Sequence, residues 1–323
     1  MAVSGDSTKP IIVAIVANFI IAIAKTVGFF FSGSSALLSE AIHSAADVMN
    51  QFLLYVGIKK GKRAEDDLFH YGYSQERFFW NLVSAIGIFV LGCGVTVYHG
   101  VHDLLHGGTV SEGGTTQRII EAILLISLLV ESYSFYVVIK EIQKGAQARQ
   151  KPFFAYLKES LDPSVSAVFW EDMAAIVGIL LALLGIVMSS LTGSKMFDSI
   201  ASISIGLLMG WIAYHLAIEN KRFLIDRAIP QYELDQLLAV LNKQEIIQEY
   251  RDIKTVVLGP DRLKLSGKLV FATDKVSQQA QSGKSEEVAG NTIQVLTSEL
   301  RRIEGELQAT LPALKHIEFS IAS

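Results

Sequence analysis

The stretch Ser39-Glu40-Ala41-Ile42-His43-Ser44-Ala45-Ala46-Asp47 places two acids and a histidine inside a segment that is otherwise apolar enough to cross a membrane. Glu40, His43 and Asp47 are spaced i, i+3 and i+7, so the pattern predicts that all three project from one face of a helix. Ionisable side chains at that depth are costly unless they face a bundle interior or a wet cavity, which makes each a candidate functional residue. Imidazole with carboxylate is also a ligand set that borderline divalent metals prefer.

The composition divides the chain into two parts. The 323 residues are 50% hydrophobic and the mean hydropathy is +0.38, which is too apolar for an ordinary soluble enzyme. The apolar residues are concentrated before about Leu224, so we expect a membrane domain over 1–224 and a soluble domain over 225–323. The net charge of -4 and the lack of a basic stripe argue against nucleic acid as a partner.

Apolar runs of about twenty residues predict six transmembrane helices. They cover Ile11 to Phe31, Ser35 to Ile58, Phe78 to Leu104, Arg118 to Val138, Pro163 to Leu191 and Phe197 to Ile218. Lys and Arg are concentrated in the loops after the second, fourth and sixth runs, and the opposite loops contain only Lys195. The positive-inside rule therefore predicts that both termini are cytoplasmic. The N-terminal residues lack the pattern of a cleavable signal peptide, so we expect the first run to be retained.

The soluble tail has the pattern of a small α+β domain. It reads as a helix, two strands joined by the turn residues Gly259-Pro260-Asp261, a polar loop, a second helix and a last strand. The predicted bounds are Tyr232 to Leu241, Ile253 to Leu258, Leu263 to Phe271, Thr273 to Gly290, Asn291 to Thr310 and Ile317 to Ile321. The fold class is thus a six-helix membrane protein followed by an αββαβ, ferredoxin-like cytoplasmic domain.

The fifth run contains the adjacent carboxylates Glu171 and Asp172 near its middle. Together with His43 and Asp47 they have the composition of a four-coordinate metal site shared by two helices. These carboxylates repel one another in an empty site, so bound metal or bound protons must balance them. Competition between the two predicts metal–proton exchange. A different reading, in which these groups only form interhelical hydrogen bonds, remains open.

Other polar residues are weaker candidates. Glu131 on the fourth run is either a proton relay or an interhelical hydrogen-bonding group. Asn18 and Lys25 on the first run are more consistent with orientation of the second helix. His99, His102 and His106 are either a metal-collecting rim or ordinary interfacial histidines. His70 with Asp66 and Asp67 is either a metal site in the loop after the second run or an exposed acidic loop.

Taken together, these features resemble the cation diffusion facilitator family of divalent metal transporters over nearly the whole chain. The match rests on residues 32–43, Asp47, Tyr71-Gly72-Tyr73, the six spans and the α+β tail. Within that family the chain is most similar to the zinc transporter nine-like branch, through residues 40–44, 98–101 and 171–175. The resemblance implies a homodimer that exchanges a cytoplasmic divalent metal for protons. It also implies His43 and Asp47 as ligands from the second span and Asp172 as a ligand from the fifth.

Two positions depart from the family pattern. Many zinc-transporting members have His four residues before the fifth-span Asp, where this chain has Val168. Glu171 is then the candidate for the missing ligand, which shifts the predicted site toward oxygen donors. In the loop, Phe69-His70-Tyr71-Gly72 stands where the family often has His-Pro-Tyr-Gly.

The prediction is therefore a transporter and not an enzyme. It exports a divalent cation, most simply Zn²⁺, from the cytoplasm in exchange for protons, with His43, Asp47, Glu171 and Asp172 as metal ligands and no resident cofactor. It spans the lipid bilayer, in the cell (inner) membrane if the source is bacterial. The alternatives are an exporter of manganese, iron or cobalt, and a membrane metal sensor that binds ions without moving them.

Overall fold

A bundle of long helices forms the first of two compact units in the computed structural model, which describes residues 8–106, 114–281 and 288–322. This unit comprises residues 1–64 and 76–221. Its helices are α1 (Thr8–Ser32), α2 (Ser35–Gly61), α3 (Glu76–Gly87), α4 (Thr96–His106), α5 (Gly114–Ala148), α6 (Phe153–Glu159), α7 (Pro163–Thr192) and α8 (Met196–Leu224). A π-helical segment, Ile88–Val95, joins α3 and α4 into one continuous helix over Glu76–His106.

The ends of α7 follow from local sequence. Asp162 precedes the helix, and its carboxylate accepts a hydrogen bond from the Ser164 backbone N–H at 3.0 Å. Pro163 occupies the first turn, where its missing N–H costs nothing. Gly193 ends the helix with a φ of 68°, a left-handed conformation that glycine adopts without strain. The start predicted from Asp162-Pro163 is confirmed.

Small side chains bring the helices of this unit close together. Ala174 and Ala182 of α7 are almost completely buried, and they share a core with Ile205 and Met209 of α8. Helices in a membrane associate mainly by close packing, which small residues permit. The core therefore holds α7, the helix with Glu171 and Asp172, in a fixed position relative to α8.

All six predicted spans lie within helices, but the hydropathy of these helices differs. Four helical stretches in the described residues are long and apolar enough to cross a membrane: Glu76–His106, Gln117–Ala148, Pro163–Thr192 and Met196–Leu224. In α1 the described apolar part is the shorter stretch Asn18–Ser32. Polar residues such as Glu40, His43 and Asp47 lower the hydropathy of α2. The chain is therefore a helical membrane protein. Helix α2 differs from the four apolar stretches because it contains these polar residues.

The second unit contains a three-stranded sheet. It comprises residues 65–75 and 222–323, with α9 (Gln231–Asn242), β1 (Ile247–Gly259), β2 (Arg262–Phe271), α10 (Thr273–Gln281), α11 (Val288–Thr310) and β3 (Leu314–Ala322). The strand order is β1-β2-β3, with β1 antiparallel and β3 parallel to the central strand. Leu263, Leu265 and Leu269 alternate along β2 and are buried. This period of two places them on one face of the sheet.

One predicted loop is wrong in part. Residues Thr273–Gln281 form α10, whereas the polar composition of 273–290 predicted a loop. The helix forms because Val276 and Ala280, one turn apart, are buried, and Val276 packs with Ile246 and Phe271 in a hydrophobic cluster. The predicted loop over 282–287 lies outside the described residues.

The segment 65–75, which links α2 and α3 along the chain, packs on the sheet of the second unit. Arg262 Nη1 donates a hydrogen bond to Glu65 Oε1 at 3.1 Å. Lys264 Nζ donates to Tyr71 Oη at 2.6 Å, and Tyr71 Oη donates to Glu318 Oε1 at 2.9 Å. No sequence feature indicated this docking, because the partners are more than 190 residues apart.

Candidate metal site

His43 and Asp47 lie one turn apart on α2. His43 is only 6% exposed, and its Nε2 lies 3.6 Å from Asp47 Oδ2. Neither ring nitrogen has a hydrogen-bond partner among the residues that the structure describes. Because buried polar groups in proteins are nearly always paired, a buried imidazole without a hydrogen bond is a candidate for ligand binding. Its lone pair is available to a metal ion beside a carboxylate.

Glu171 and Asp172 of α7 point to different neighbours. Asp172 Oδ2 accepts a hydrogen bond from the Ser134 hydroxyl of α5 at 2.8 Å. Glu171 Oε2 accepts one from Asn50 Nδ2 of α2 at 2.6 Å, and Glu171 Oε1 is buried and has no partner in the described part of the chain. The two carboxylates are adjacent in sequence but lie on different sides of the helix.

Asp47 is the electrostatic neighbour that these groups share. Helices α2 and α7 are in contact, and Asp172 interacts electrostatically with both Asp47 and His43. Glu171 interacts with Asp47 and Asp172. The four predicted ligands therefore share one region of the bundle.

They are not close enough to hold an ion together as they stand. Within 8–106, 114–281 and 288–322, no group of three or more His, Cys, Asp or Glu side chains has the geometry of a metal site. The arrangement is a His–Asp pair on α2 with Asp172 of α7 as an electrostatic neighbour.

Glu131 of α5 adds a fifth ionisable group to this region. It is 6% exposed and interacts electrostatically with Asp47, Asp172, His43 and Lys25. The sequence signal for Glu131 was a lone acid in an apolar run, which did not reveal how close it lies to the other carboxylates. Its position is suited to holding a proton near the predicted ligands.

Residues 11–225 match the family described as the cation efflux transmembrane domain. The chain belongs to the cation efflux family. It is 30% identical to the proton-coupled zinc antiporter SLC30A9, mitochondrial, of Mus musculus over 97% of this chain and 58% of that protein. It is 31% identical to metal tolerance protein C4 of Arabidopsis thaliana over 97% of this chain and 73% of that protein. An uncharacterized transporter of Methanocaldococcus jannaschii is 24% identical over 78% of this chain and 82% of its own length.

The identification confirms the predicted family and its zinc transporter nine-like branch. Members of the family are transporters, so this cation efflux protein is not an enzyme. The chain spans 58% of the length of the SLC30A9 relatives. Similarity over this part of their length does not by itself assign a substrate or partners to the chain.

In this cation efflux protein Lys25 contacts the second helix, α2, as the sequence suggested. Lys25 and Glu40 side chains are fully buried, and Lys25 Nζ donates hydrogen bonds at 2.9 Å to Glu40 Oε2 and to Ser44 Oγ. Glu40 is thus paired with α1, while His43, one turn further along α2, is unpaired. This contact fixes α1 against the helix that carries the candidate ligands.

Two acids hold the first turn of α2 in place. Asp198 Oδ1 accepts a hydrogen bond from Ser34 Oγ and Asp198 Oδ2 accepts one from the Ser35 backbone N–H, both at 2.6 Å. The Ser35 hydroxyl donates to Asp103. A carboxylate at a helix N-terminus also interacts favourably with the helix dipole. These residues of the cation efflux protein were not singled out from the sequence, because each partner lies on a different helix.

The histidines near Asp103 lie along one side of α4. His99 Nε2 is 3.5 Å from Asp103 Oδ2, and the rings of His102 and His106 stack at 4.3 Å. His106 Nδ1 is 2.9 Å from the His102 carbonyl oxygen. Within the described ranges this rim, like the loop around His70, does not form a three-ligand metal group.

Proposed function

We propose that this protein exports a divalent metal cation, Zn²⁺, from the cytoplasm in exchange for protons. His43, Asp47 and Asp172 bind the ion, with Glu171 as a further oxygen ligand. Protons return on the same carboxylates after the metal leaves, since an empty cluster of ionised acids in a low-dielectric bundle is unfavourable.

The observation that carries this proposal is the state of His43. Its two nitrogens are buried and unpaired in the described structure, 3.6 Å from the carboxylate of Asp47. A packing residue in that position needs a hydrogen-bond partner. A metal ligand needs a free lone pair, which this geometry provides.

The membrane arrangement is part of the same proposal. We infer six transmembrane helices with both termini cytoplasmic from the distribution of Lys and Arg between the loops. Residues 1–224 then form the transport domain, and residues 225–323 form a cytoplasmic domain through which two copies of the chain dimerise. If the source is bacterial, the membrane is the inner membrane.

Zinc is favoured by the ligand types and by the names of the relatives. One imidazole with carboxylates is a normal zinc set. The relatives from Mus musculus and Homo sapiens are named proton-coupled zinc antiporters. The same ligands also accept manganese, iron or cobalt, so these ions form the second candidate group of substrates.

The direct test is zinc uptake into proteoliposomes that contain the purified chain. We expect flux that depends on an opposing proton gradient, and we expect Asp47→Ala and Asp172→Ala to reduce it to the level of empty liposomes. Glu141→Ala is the matched control, because Glu141 is an exposed acid on α5 that is ion-paired with the equally exposed Lys144. Normal flux in either site variant would remove that residue from the mechanism.

The same assay separates the alternatives. Competition by Mn²⁺, Fe²⁺ and Co²⁺ ranks the metals. Replacing His43 by Asp exchanges a nitrogen for a hard oxygen donor and is expected to raise the relative flux of Mn²⁺. Tight binding of zinc by the wild type with no flux would instead favour a metal sensor.

A further inference from the structure

A small cavity lies beside the candidate metal site in the helix bundle. Its volume open to a water-sized sphere is about 10 Å³, roughly what one water molecule or one ion requires. The lining residues that matter here are Asn50, Asn81, Ser164, Val168, Glu171 and Asn220.

Three oxygen atoms of the lining side chains have no hydrogen-bond partner in the described part of the chain. They are Glu171 Oε1, Asn81 Oδ1 and Asn220 Oδ1. Asn81 is 8% exposed and Asn220 is 1% exposed, so solvent does not satisfy them. Several unpaired buried acceptors around one cavity are unusual, because buried polar groups are normally hydrogen-bonded.

The amide groups are oriented by their other contacts. Asn220 Nδ2 donates to the Leu216 carbonyl oxygen at 2.8 Å, and Asn81 Nδ2 donates to Ser164 Oγ at 3.4 Å. Asn50 Nδ2 donates to Glu171 Oε2, and Asn50 Oδ1 accepts from the Ser84 hydroxyl at 2.7 Å. The amide nitrogens are therefore occupied, and the free atoms of Asn81 and Asn220 are their oxygens.

A positive ion satisfies these three oxygens better than a water molecule does. Water donates only two hydrogen bonds, so it leaves one acceptor unpaired. A divalent cation attracts all three and balances the carboxylate of Glu171. Arg77, which also donates to Ser164, is ion-paired with Asp162 at 2.8 Å, so its own charge is offset.

We propose that this cavity is a second binding position for a divalent cation, with Asn81, Asn220 and Glu171 Oε1 as oxygen ligands, so that the two positions share the carboxylate of Glu171. The proposal rests on the proposed transport function and adds a step to it. Carboxylate and amide oxygens form a hard set that accepts Mn²⁺ or a partly hydrated Zn²⁺, whereas the His43 position favours a borderline metal.

The placement of the cavity indicates its role. Asn50 is three residues from Asp47 on α2, about one helical turn, and Glu171 is next to Asp172. Asn81 lies near the start of the continuous helix Glu76–His106, Ser164 lies at the start of α7, and Asn220 lies near the end of α8. In the proposed topology these ends are cytoplasmic. A cation arriving from the cytoplasm therefore occupies this position before it reaches His43, Asp47 and Asp172.

The test counts Mn²⁺ and Zn²⁺ ions bound by the purified full chain in lipid nanodiscs, with equilibrium titration and metal analysis. We expect two Mn²⁺ ions per wild-type chain in the bundle. The variant with both Asn81→Leu and Asn220→Leu is expected to keep one ion and to weaken the other by about tenfold or more. Gln51→Leu is the matched control, because Gln51 Oε1 is also buried without a partner in the described residues but does not line the cavity. It is expected to keep both ions.

Two further variants make the result decisive. Asn220→Asp keeps an oxygen ligand and adds a charge, so it is expected to tighten the second ion, which a misfolded variant does not do. The variant with both Asp47→Ala and Asp172→Ala is expected to lose the ion at His43 and to keep the ion in the cavity. This variant therefore tests the proposed transport site separately from the cavity. One bound ion in the wild type, or a second ion bound with wild-type affinity in the Asn81→Leu, Asn220→Leu variant, would overturn the proposal and leave the cavity as a water site.

Discussion

The Lys25–Glu40 ion pair shows how strongly single residues constrain this bundle. Both side chains are fully buried, and removing one partner of such a pair typically costs about 3–5 kcal/mol because the other charge stays buried and unpaired. We expect Lys25→Met to destabilise the protein by about 3 kcal/mol. Replacing Glu40 by Gln as well should restore part of this loss. Thermal unfolding in detergent measures both effects.

The control for this prediction is an exposed pair of the same type. Lys144 and Glu141 are more than 60% exposed, so Lys144→Met should leave the unfolding temperature unchanged within error. If the losses from Lys25→Met and Glu40→Gln simply added in the double variant, the two residues would not be acting as a pair.

Gly178 of α7 is required by the position of Glu40. A Cβ atom at residue 178 would lie 2.4 Å from Glu40 Oε1, which is too close for a real contact. We therefore expect Gly178→Ala to displace Glu40 and to reduce zinc flux severalfold. Gly94→Ala is the matched control in another helix of the bundle, since the nearest atom to its added Cβ is 3.9 Å away. Equal flux in both variants would contradict the proposed role of the contact.

The sequence was enough to locate the ionisable side chains of the bundle, but it did not predict which side chains they contact on other helices. The spacing of His43 and Asp47 was enough to place them on one helix face, because helical periodicity is local. The pairing of Asp103 and Asp198 with the start of α2 depends on how separate helices pack. Periodicity along one segment contains no information about that packing.

At the scale of elements, the docking of residues 65–75 on the sheet depends on the ionic state of Lys264 and Glu318. Hydrogen bonds from Lys264 and Tyr71 hold the pKa of Glu318 below its ordinary 4.5, and the bond to Glu318 raises the pKa of Lys264 above 10.5. The contribution of Glu318 is therefore present above pH 4.5 and is lost as pH falls through its folded pKa. The contribution of Lys264 is present below pH 10.5 and is lost as pH rises through its folded pKa.

We expect this docking to be constant between the ordinary pKa values of the two groups, 4.5 and 10.5, and to weaken as pH falls below 4.5 through the folded pKa of Glu318. Tyr71→Phe removes the hydroxyl that joins Lys264 to Glu318, so it should increase hydrogen exchange of the amides in 68–73 at neutral pH. Lys275→Gln, which breaks a separate exposed pair with Glu245 in the same unit, is the control and should have no effect there. Unchanged exchange in Tyr71→Phe would show that the loop is held by other contacts.

The elements of the second unit also show the limits of sequence patterns. The strands and α11 were recognisable from alternating and helical apolar patterns. Helix α10 was not, because its buried side chains, Val276 and Ala280, stand among polar residues. Two apolar positions in nine residues are too weak a signal, and the neighbouring hydrophobic cluster decides the conformation.

For the whole molecule, the proposed topology can be tested with single cysteines in a Cys93→Ser background. Lys62→Cys lies just after α2 and Thr192→Cys lies at the end of α7. The positive-inside rule places the first on the cytoplasmic side and the second on the opposite side. A membrane-impermeant maleimide should modify Lys62→Cys only from the cytoplasmic face and Thr192→Cys only from the other. Modification of both from one face would refute the six-span arrangement.

The central claim is that metal and protons use one site in opposite directions. The most direct measurement follows internal pH in sealed proteoliposomes with a trapped dye while zinc is added outside. Inward zinc movement is expected to drive protons outward, so that the lumen becomes more alkaline, and Asp47→Ala is expected to abolish this change. Zinc uptake by the wild type without any change in internal pH would contradict metal–proton exchange.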